Sequence, residues 1–307
     1  MLPEIMEAAD LLDDARVDGD KVAGWLAQKG LDQVEVHRVQ GPQGHTDFIK
    51  ARLISPEPGP VLGIVGRLGG IGARPERIGM VSDADGCIVS LACAARLAHM
   101  ARRGDGLPQG GVIVATHICP NAPTQPHEPT PFMGSPVDMA QMNRMEVDSA
   151  MDGILSVDAT KGNWVVNQRG FAITSTVKEG WVLRVNERLL ELMRFVSGRL
   201  PVVLPISTSD ITPYGNGVHH VNSIMQPAIA TSAPVVGVAT TSVVPVAGCA
   251  TGANQLGDLD EAGRFCLEVA KEFTAGRLSL HDPEEFQRLS ELYGSMGHLQ
   301  GLGGRKG

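Results

Sequence analysis

Apolar runs that alternate with helical patterns limit the folds that this chain can adopt. The central runs are apolar on both faces, which is typical of strands that are covered on two sides. The runs are VLGIV (61–65), GVIVATH (111–117), GILSVDA (153–159), PVVLPIS (201–207) and APVVGVATTSVVPV (233–246). Helical patterns occur at 3–15, 19–29, 87–103, 186–198 and 258–276. The alternation predicts an α/β fold, with a mainly parallel sheet flanked by helices on both faces.

The length of 307 residues fits one large α/β domain, and we predict a single domain over 1–307. Residues 1–55 are expected to form a helical and β lead-in. Residues 118–140 contain six prolines and little periodicity, which predicts a long surface loop of the kind that often carries function. The glycine-rich end, 301–307, is predicted to be a flexible tail.

Composition excludes several classes of partner. The 43% hydrophobic content supports a sizeable core, while the net charge of −8 and the 4% aromatic content argue against nucleic acid. We find no apolar window of the roughly 18 residues that a membrane span needs, and the acidic start does not resemble a secretory signal. The five cysteines form no CxxC pair, which fits buried thiols in a reducing cytoplasm. A cytoplasmic location is therefore expected.

Polar residues gather where the predicted strands end. Ligands of parallel α/β sheets bind outside the carboxyl ends of the strands. Arg67, Asp83, Asp85, His117 and Asp158 fall there. Asp83 and Asp158 are the sharpest pair, because two converging carboxylates could bind a metal or a cationic group. The alternative is that Asp83 caps the following helix and Asp158 closes a turn, which are common roles of aspartate.

Two loops add further candidates. Lys161 and Asn163 follow Asp158 directly in TKGN (160–163), where a lysine could hold a substrate carboxylate or an oxyanion. A solvated loop lysine is the simpler interpretation. The segment DITPYGNGVHH (210–220) presents further polar groups, either a binding surface or plain turn chemistry: Asp210, Tyr214 and Asn216. The chain contains no GxSxG, HExxH or GxxxxGK[ST] motif, which removes support for elbow serine hydrolases, zincins and P-loop enzymes.

Several segments share their order and spacing with one enzyme clan. They are GRLGGIG (66–72), SDADG (82–86), GVIVATHICP (111–120), SVDAT (156–160) and HHVNSIMQPAIATSAPVVGVAT (219–240). Together they resemble the two-metal zinc aminopeptidases, such as the glutamyl and tetrahedral aminopeptidases, which have a phosphorylase/hydrolase-like architecture. The chain also resembles a bacterial family classed as a domain of unknown function. Only ten residues separate Gly72 from Asp83, so the second domain that the clan inserts there is absent.

The resemblance carries over only part of the clan's metal site. The bridging aspartate matches Asp83, and the later aspartate ligand matches Asp158. The clan's remaining positions fall on residues of other types, namely Arg67, Gly69, the neighbourhood of Cys119 and Pro120, and the neighbourhood of Val244. Two facing carboxylates need a positive partner at neutral pH. One partner would be zinc or another divalent metal in a rebuilt site, with Asp83, Asp158, His117 and one of His219 or His220 as ligands.

The resemblance implies a hydrolase that acts on a small peptide, amide or lactam-type substrate, with Arg67 or Lys161 holding a substrate carboxylate. It also implies a homo-oligomer, because the clan usually assembles. One alternative is a metal-free binding or regulatory protein, in which Arg67 neutralises Asp83 and Asp158. Another is a metal-free enzyme of a different reaction class. All three require that Asp83 and Asp158 share one pocket.

Overall fold

A computed structural model describes residues 1–67, 69–72, 80–126, 128, 131–220, 222–246 and 251–301. The predicted tail falls outside these residues, apart from Gly301. The strands are β1 Val34–Gly41, β2 Gly44–Ile54, β3 Val61–Gly66, β4 Gly111–Ile118, β5 Thr124–Gln125, β6 Phe132–Met133, β7 Gly153–Ala159, β8 Phe171–Thr174, β9 Thr176–Lys178, β10 Trp181–Leu183, β11 Val203–Leu204 and β12 Val235–Thr240. The helices are α1 Leu2–Asp13, α2 Gly19–Gln28, α3 Asp85–Arg102, α4 Met139–Glu146, α5 Glu187–Ser197, α6 Leu256–Thr274 and α7 Pro283–Tyr293.

The main sheet confirms the predicted α/β class with a mainly parallel sheet. Its order is β1-β2-β4-β3-β7-β12-β8-β11, with β9 and β10 attached beside β12. The four central strands, β4, β3, β7 and β12, run parallel, and β2 and β8 join them antiparallel on either side. The sheet is therefore mixed and mostly parallel at its centre, and the carboxyl ends of the central strands meet at one edge.

One face of the sheet carries most of the helices. The apolar side chains of α1, α2, α3, α5 and α6 pack there in the largest core cluster. The opposite face is covered mainly by irregular segments and short turns, which pack Ile211, Ile224 and Met225 against the sheet. The segment Ser82–Arg102 is apolar and long enough to span a membrane, yet 83% of its most apolar stretch is buried inside the protein. It is the central core helix.

The lead-in at 1–55 contains α1, α2, β1 and β2, and β2 joins the main sheet by pairing with β4 in register from Asp47↔Ile118 to Ile54↔Gly111. One predicted strand boundary differs in the structure. The β-prone stretch 233–246 forms a strand only to Thr240. Beyond it, the N–H of Thr241 donates to the carbonyl of Gly170, and the chain turns into a loop.

Residues 118–140 are predicted to form a long surface loop, and regular structure in their described part is limited to short elements. Their described part contains the short β5–β6 hairpin, and Asp138 then caps α4 by accepting a hydrogen bond from the N–H of Gln141 at 2.7 Å. Phe132, Met133 and Met139 of this segment all line one large cavity beside the sheet. The long loop therefore forms one wall of the candidate site.

Candidate functional site

A cavity of about 810 Å³ lies at the carboxyl ends of β4 and β7. Most of the predicted site residues line it: Asp83, His117, Asp158, Lys161, Asn163, Tyr214, His219 and His220. Arg67, Asp210 and Asn216 lie outside this lining. Asp83 and Asp158 therefore line one pocket, as all three functional hypotheses require.

Asp83 and Asp158 are both buried and reach the cavity from different elements. Asp83 lies in a short 3-10 turn, Ser82–Ala84, before α3, and no side chain caps that helix. The capping alternative is therefore wrong. Asp158 lies near the end of β7, where its Oδ1 accepts the N–H of Ala159 at 2.7 Å and its Oδ2 accepts the hydroxyl of Ser223 at 2.8 Å. These two hydrogen bonds fix the orientation of the Asp158 carboxyl group.

The surroundings raise the pKa of both carboxyl groups. Burial raises the pKa of Asp83 well above its ordinary value, and the negative charges of Asp158 and Asp85 add to this effect. Burial raises the pKa of Asp158 to about 6, although the hydrogen bond from Ser223 and the charge of Arg67 act against it. Burial therefore disfavours the ionised form of both carboxyl groups, and Asp158, with its pKa of about 6, is still largely ionised near neutral pH.

The interpretation of Arg67 as a substrate-binding residue needs correction. Its side chain is 0% exposed, and its guanidinium forms an ion pair with Glu146 on α4. Burial opposes ionisation of Glu146, but the positive charge of Arg67 and the hydrogen bond with His117 hold the pKa of Glu146 below its usual value. Arg67 thus compensates a buried glutamate, and at Asp158 it acts only as a nearby charge.

His117 is held by hydrogen bonds at both ring nitrogens. Its Nε2 accepts the N–H of Gly69 at 3.1 Å, so the proton of the neutral ring is on Nδ1, which pairs with Glu146. A side chain at Gly69 would collide with the backbone of His117, since an added Cβ would lie 1.5 Å from the carbonyl oxygen. The glycine-rich loop is therefore packed closely along β4. His117 has no lone pair left for a metal, which contradicts its predicted role as a ligand.

Lys161 lines the cavity and forms a buried ion pair with Asp85. Its Nζ also donates to the carbonyl of Ala253 at 2.5 Å. Asp85 accepts further hydrogen bonds from Thr240 and Asn254, both at 2.7 Å. The charge of this lysine is thus compensated within the protein, and the group is fixed in place rather than solvated.

The predicted substrate-binding residues divide into two groups. Tyr214 and Asn163 line the cavity, and partial burial together with the charge of Asp158 raises the pKa of Tyr214 to about 12. Asp210 is buried and shapes its own turn, because its carboxylate accepts the N–H groups of Ser207 and Asn222. The exposed Asn216 donates to the hydroxyl of Thr212 and accepts the N–H of Val218 within its turn, so neither Asp210 nor Asn216 contacts the cavity.

The two adjacent histidines have different surroundings. His220 stacks on Tyr214 with ring centroids 4.4 Å apart, and its ring nitrogens face the carbonyl oxygens of Val218 and Thr212 at 3.1 and 3.0 Å. His219 is exposed at the cavity lining. Within the part of the chain that the structure describes, no three His, Cys, Asp or Glu side chains are grouped to hold a metal ion. The donor set therefore does not fit the two-zinc site of the resembled enzymes.

Sequence reasoning missed Glu146 and Ser223. Glu146 follows Met139, Met142 and Asn143 at helical spacing on the inward face of α4. A carboxylate on an apolar helix face needs a buried cation, so the pattern could have suggested a partner such as Arg67. Ser223 gave no comparable signal, because its hydroxyl meets Asp158 only through the tertiary fold.

The α/β fold is similar to that of metallopeptidases. Two solved structures show the likeness, and a third is similar with a lower score. A Zn-dependent exopeptidase from Parabacteroides distasonis matches with a TM-score of 0.51 and 12% identity over 88% of this chain and 96% of its own. A leucine aminopeptidase of Caenorhabditis elegans matches with a TM-score of 0.55 and 13% identity, over 89% and 65%. The bottromycin maturation enzyme BotP matches with a TM-score of 0.49 and 16% identity, over 86% and 70%.

The chain belongs to the family described as "Protein of unknown function (DUF1177)", whose model matches residues 37–303. No curated protein sequence matches the chain. The predicted membership of a family of unknown function is confirmed, and so is the predicted similarity of the fold to aminopeptidases. The structural matches are all below 25% identity, so they establish the fold and leave the chemistry to the residues of this chain.

Proposed function

We propose that the protein is a hydrolase that cleaves a C–N bond in a small amide, lactam or short peptide, with Asp83 and Asp158 as its acid–base pair. The observation that carries the proposal is the presence of two buried carboxyl groups with raised pKa values in one cavity. Two titratable groups held in different protonation states near neutral pH can serve as acid and base in one reaction.

The proposed reaction begins when water attacks the amide carbonyl carbon. The ionised Asp158 takes a proton from that water, and Asp83 gives its proton to the carbonyl oxygen. The C–N bond then breaks as Asp158 passes its proton to the leaving nitrogen and Asp83 regains a proton from the former carbonyl oxygen. The products are an acid and an amine, and both carboxyl groups return to their starting states. Ser223 keeps Asp158 oriented throughout through its 2.8 Å hydrogen bond.

The proposal assigns no step to a metal, because the described donors do not fit one. The buried cations are already compensated, since Arg67 pairs with Glu146 and Lys161 with Asp85. The raised pKa of Asp83 favours its neutral form, and a neutral Asp83 would not repel the Asp158 carboxylate. Lys161 lines the cavity and is held in place by its ion pair with Asp85. Self-association and a cytoplasmic location belong to the same proposal, and light scattering after size-exclusion chromatography tests the first.

The test incubates the full chain, dialysed against a chelator, with dipeptides, cyclic dipeptides and N-acyl amides, and detects products by mass spectrometry. We expect cleavage of at least one class, and loss of cleavage in both Asp83→Asn and Asp158→Asn. Glu57→Gln, which changes an exposed carboxylate, is the matched control. Cleavage that appears only after zinc is added would refute the metal-independent reaction. Binding without cleavage would instead support the ligand-binding alternative.

A further inference from the structure

Two loops join to form one side of the cavity. They are 160–166, which follows β7, and 241–246, which follows β12. The carbonyl of Lys161 accepts the N–H of Val246 at 2.8 Å and the hydroxyl of Ser242 at 3.5 Å. Lys161, Asn163 and Val246 all line the cavity. The two loops therefore form a single rim, whose inner side faces the carboxyl pair.

The outer part of this rim exposes large apolar side chains. Trp164 is 84% exposed, Val165 72%, and Val243 and Val244 62% each. Single exposed apolar residues are common, but four of them on two joined loops beside a cavity are typical of a binding surface. Tryptophan in particular contributes strongly to binding when a ligand covers it.

The first loop of the rim, 160–166, is ordered by hydrogen bonds of one side chain. The side chain of Asn163 accepts the N–H of Val165 at 3.0 Å and the N–H of Val166 at 2.6 Å, and it donates to the carbonyl of Thr160. These hydrogen bonds fix the turn that carries Trp164. A ligand would therefore meet an ordered surface, and less conformational entropy would be lost on binding.

The inner wall of the cavity is apolar as well. It is formed by side chains of the long loop and α4, namely Phe132, Met133, Val137, Met139 and Met142. Thioether side chains adapt to varied apolar groups and make favourable contacts with aromatic rings. The carboxyl pair thus shares its cavity with this wall, and the rim extends the apolar surface to the outside.

We infer that Trp164, with Val165, Val243 and Val244, is an outer subsite that binds an apolar group of the substrate. The inference rests on the proposed function and names its substrate class: an uncharged amide with apolar groups on both sides of the C–N bond. One apolar group would lie against the inner wall of the cavity, and the other would cover Trp164. A free carboxylate on the substrate is disfavoured, because Lys161 is already paired with Asp85.

The test measures binding by calorimetry in the full chain carrying Asp158→Asn, so that turnover does not interfere. The probes are N-acetyl-leucinamide, N-benzoyl-leucine benzylamide, which is apolar at both ends, and N-benzoyl-leucine, which has a free carboxylate. We expect Trp164→Ala to weaken binding of the benzylamide about tenfold, and binding of the short amide less than twofold. Leu200→Ala is the matched control, because Leu200 is 83% exposed and lies outside the cavity lining, and it should change neither affinity. We also expect the carboxylate probe to bind at least tenfold more weakly than the benzylamide.

Equal loss for both amides, no loss on Trp164→Ala, or no binding of the benzylamide would overturn the outer subsite. Equal or tighter binding of the carboxylate probe would overturn the uncharged substrate class. Amide cleavage by the wild-type chain without any effect of Trp164→Ala would refute the subsite and leave the hydrolase proposal standing. Binding that depends on Trp164, without cleavage of any amide, would refute the hydrolase proposal and leave the outer subsite standing.

Discussion

Replacing Asp158 by asparagine should stabilise the folded protein at neutral pH. The structure raises the pKa of Asp158 from 3.8 to about 6. At ~1.36 kcal/mol per pKa unit, ionising this group in the folded state costs about 3 kcal/mol. Asparagine has nearly the same shape, can still accept the N–H of Ala159, and can donate to the hydroxyl of Ser223. The substitution therefore removes a buried charge without leaving a cavity.

The sign of the pH dependence follows from the same shift. The folded protein binds the Asp158 proton more tightly than the unfolded chain does, so its stability falls as pH rises between about 4 and 6. At pH 7.5 we expect Asp158→Asn to raise the free energy of unfolding by up to ~3 kcal/mol. Near pH 4 the gain should shrink to roughly 0.5 kcal/mol, because Asp158 is then protonated in the folded state and only about half ionised in the unfolded chain.

Urea unfolding of both proteins at pH 4.5, 6 and 7.5 measures this gain. Asp148→Asn is a control of opposite sign. Burial opposes ionisation of Asp148, but the N–H of Ala150 and the cations Arg52 and Lys50 hold the pKa of Asp148 below its usual range. Its stabilising effect is present at neutral pH and is lost as the pH falls, so Asp148→Asn should destabilise at pH 7.5. A gain for Asp158→Asn that is absent at pH 7.5, or equal at all three pH values, would refute the assigned electrostatics.

Three further predictions concern activity, the buried ion pair and metal binding. The rate of amide cleavage should fall below pH about 6, because Asp158 then takes up a proton. The rate should also fall at high pH, where Asp83 loses its proton. A rate that is flat between pH 5 and 7 would contradict this prediction. Glu146→Gln should lower the free energy of unfolding by about 3 kcal/mol, because it leaves Arg67 buried without a counter-charge. Glu57→Gln, at an exposed site, should change it by less than about 0.5 kcal/mol in the same denaturation assay. Protein prepared without a histidine tag should bind less than one equivalent of zinc and show no rise in melting temperature; stoichiometric zinc with a clear rise would show that the donors rearrange to form a metal site.

The sequence by itself determined the fold class and the position of the acidic pair. Apolar runs of strand length between helical patterns indicate a parallel sheet. Strands of parallel sheets are covered on both faces, so their side chains are apolar on both faces. The carboxyl ends of such strands lie at one edge, and this rule was enough to bring Asp83 and Asp158 into a single pocket. Both inferences depend on local pattern and chain direction, which a sequence contains.

Only the tertiary structure decided what the other polar residues do. Arg67 pairs with a glutamate 79 positions away, and His117 pairs with the same glutamate 29 positions away. Lys161, which follows β7, likewise pairs with Asp85 at the start of α3, and the carboxylate of Asp210 accepts hydrogen bonds within its own loop. A buried charge is stabilised by whichever partner the fold places beside it, and no sequence spacing specifies that partner. The same physics sets the protonation of Asp83 and Asp158, since burial and neighbouring charges exist only in the folded chain.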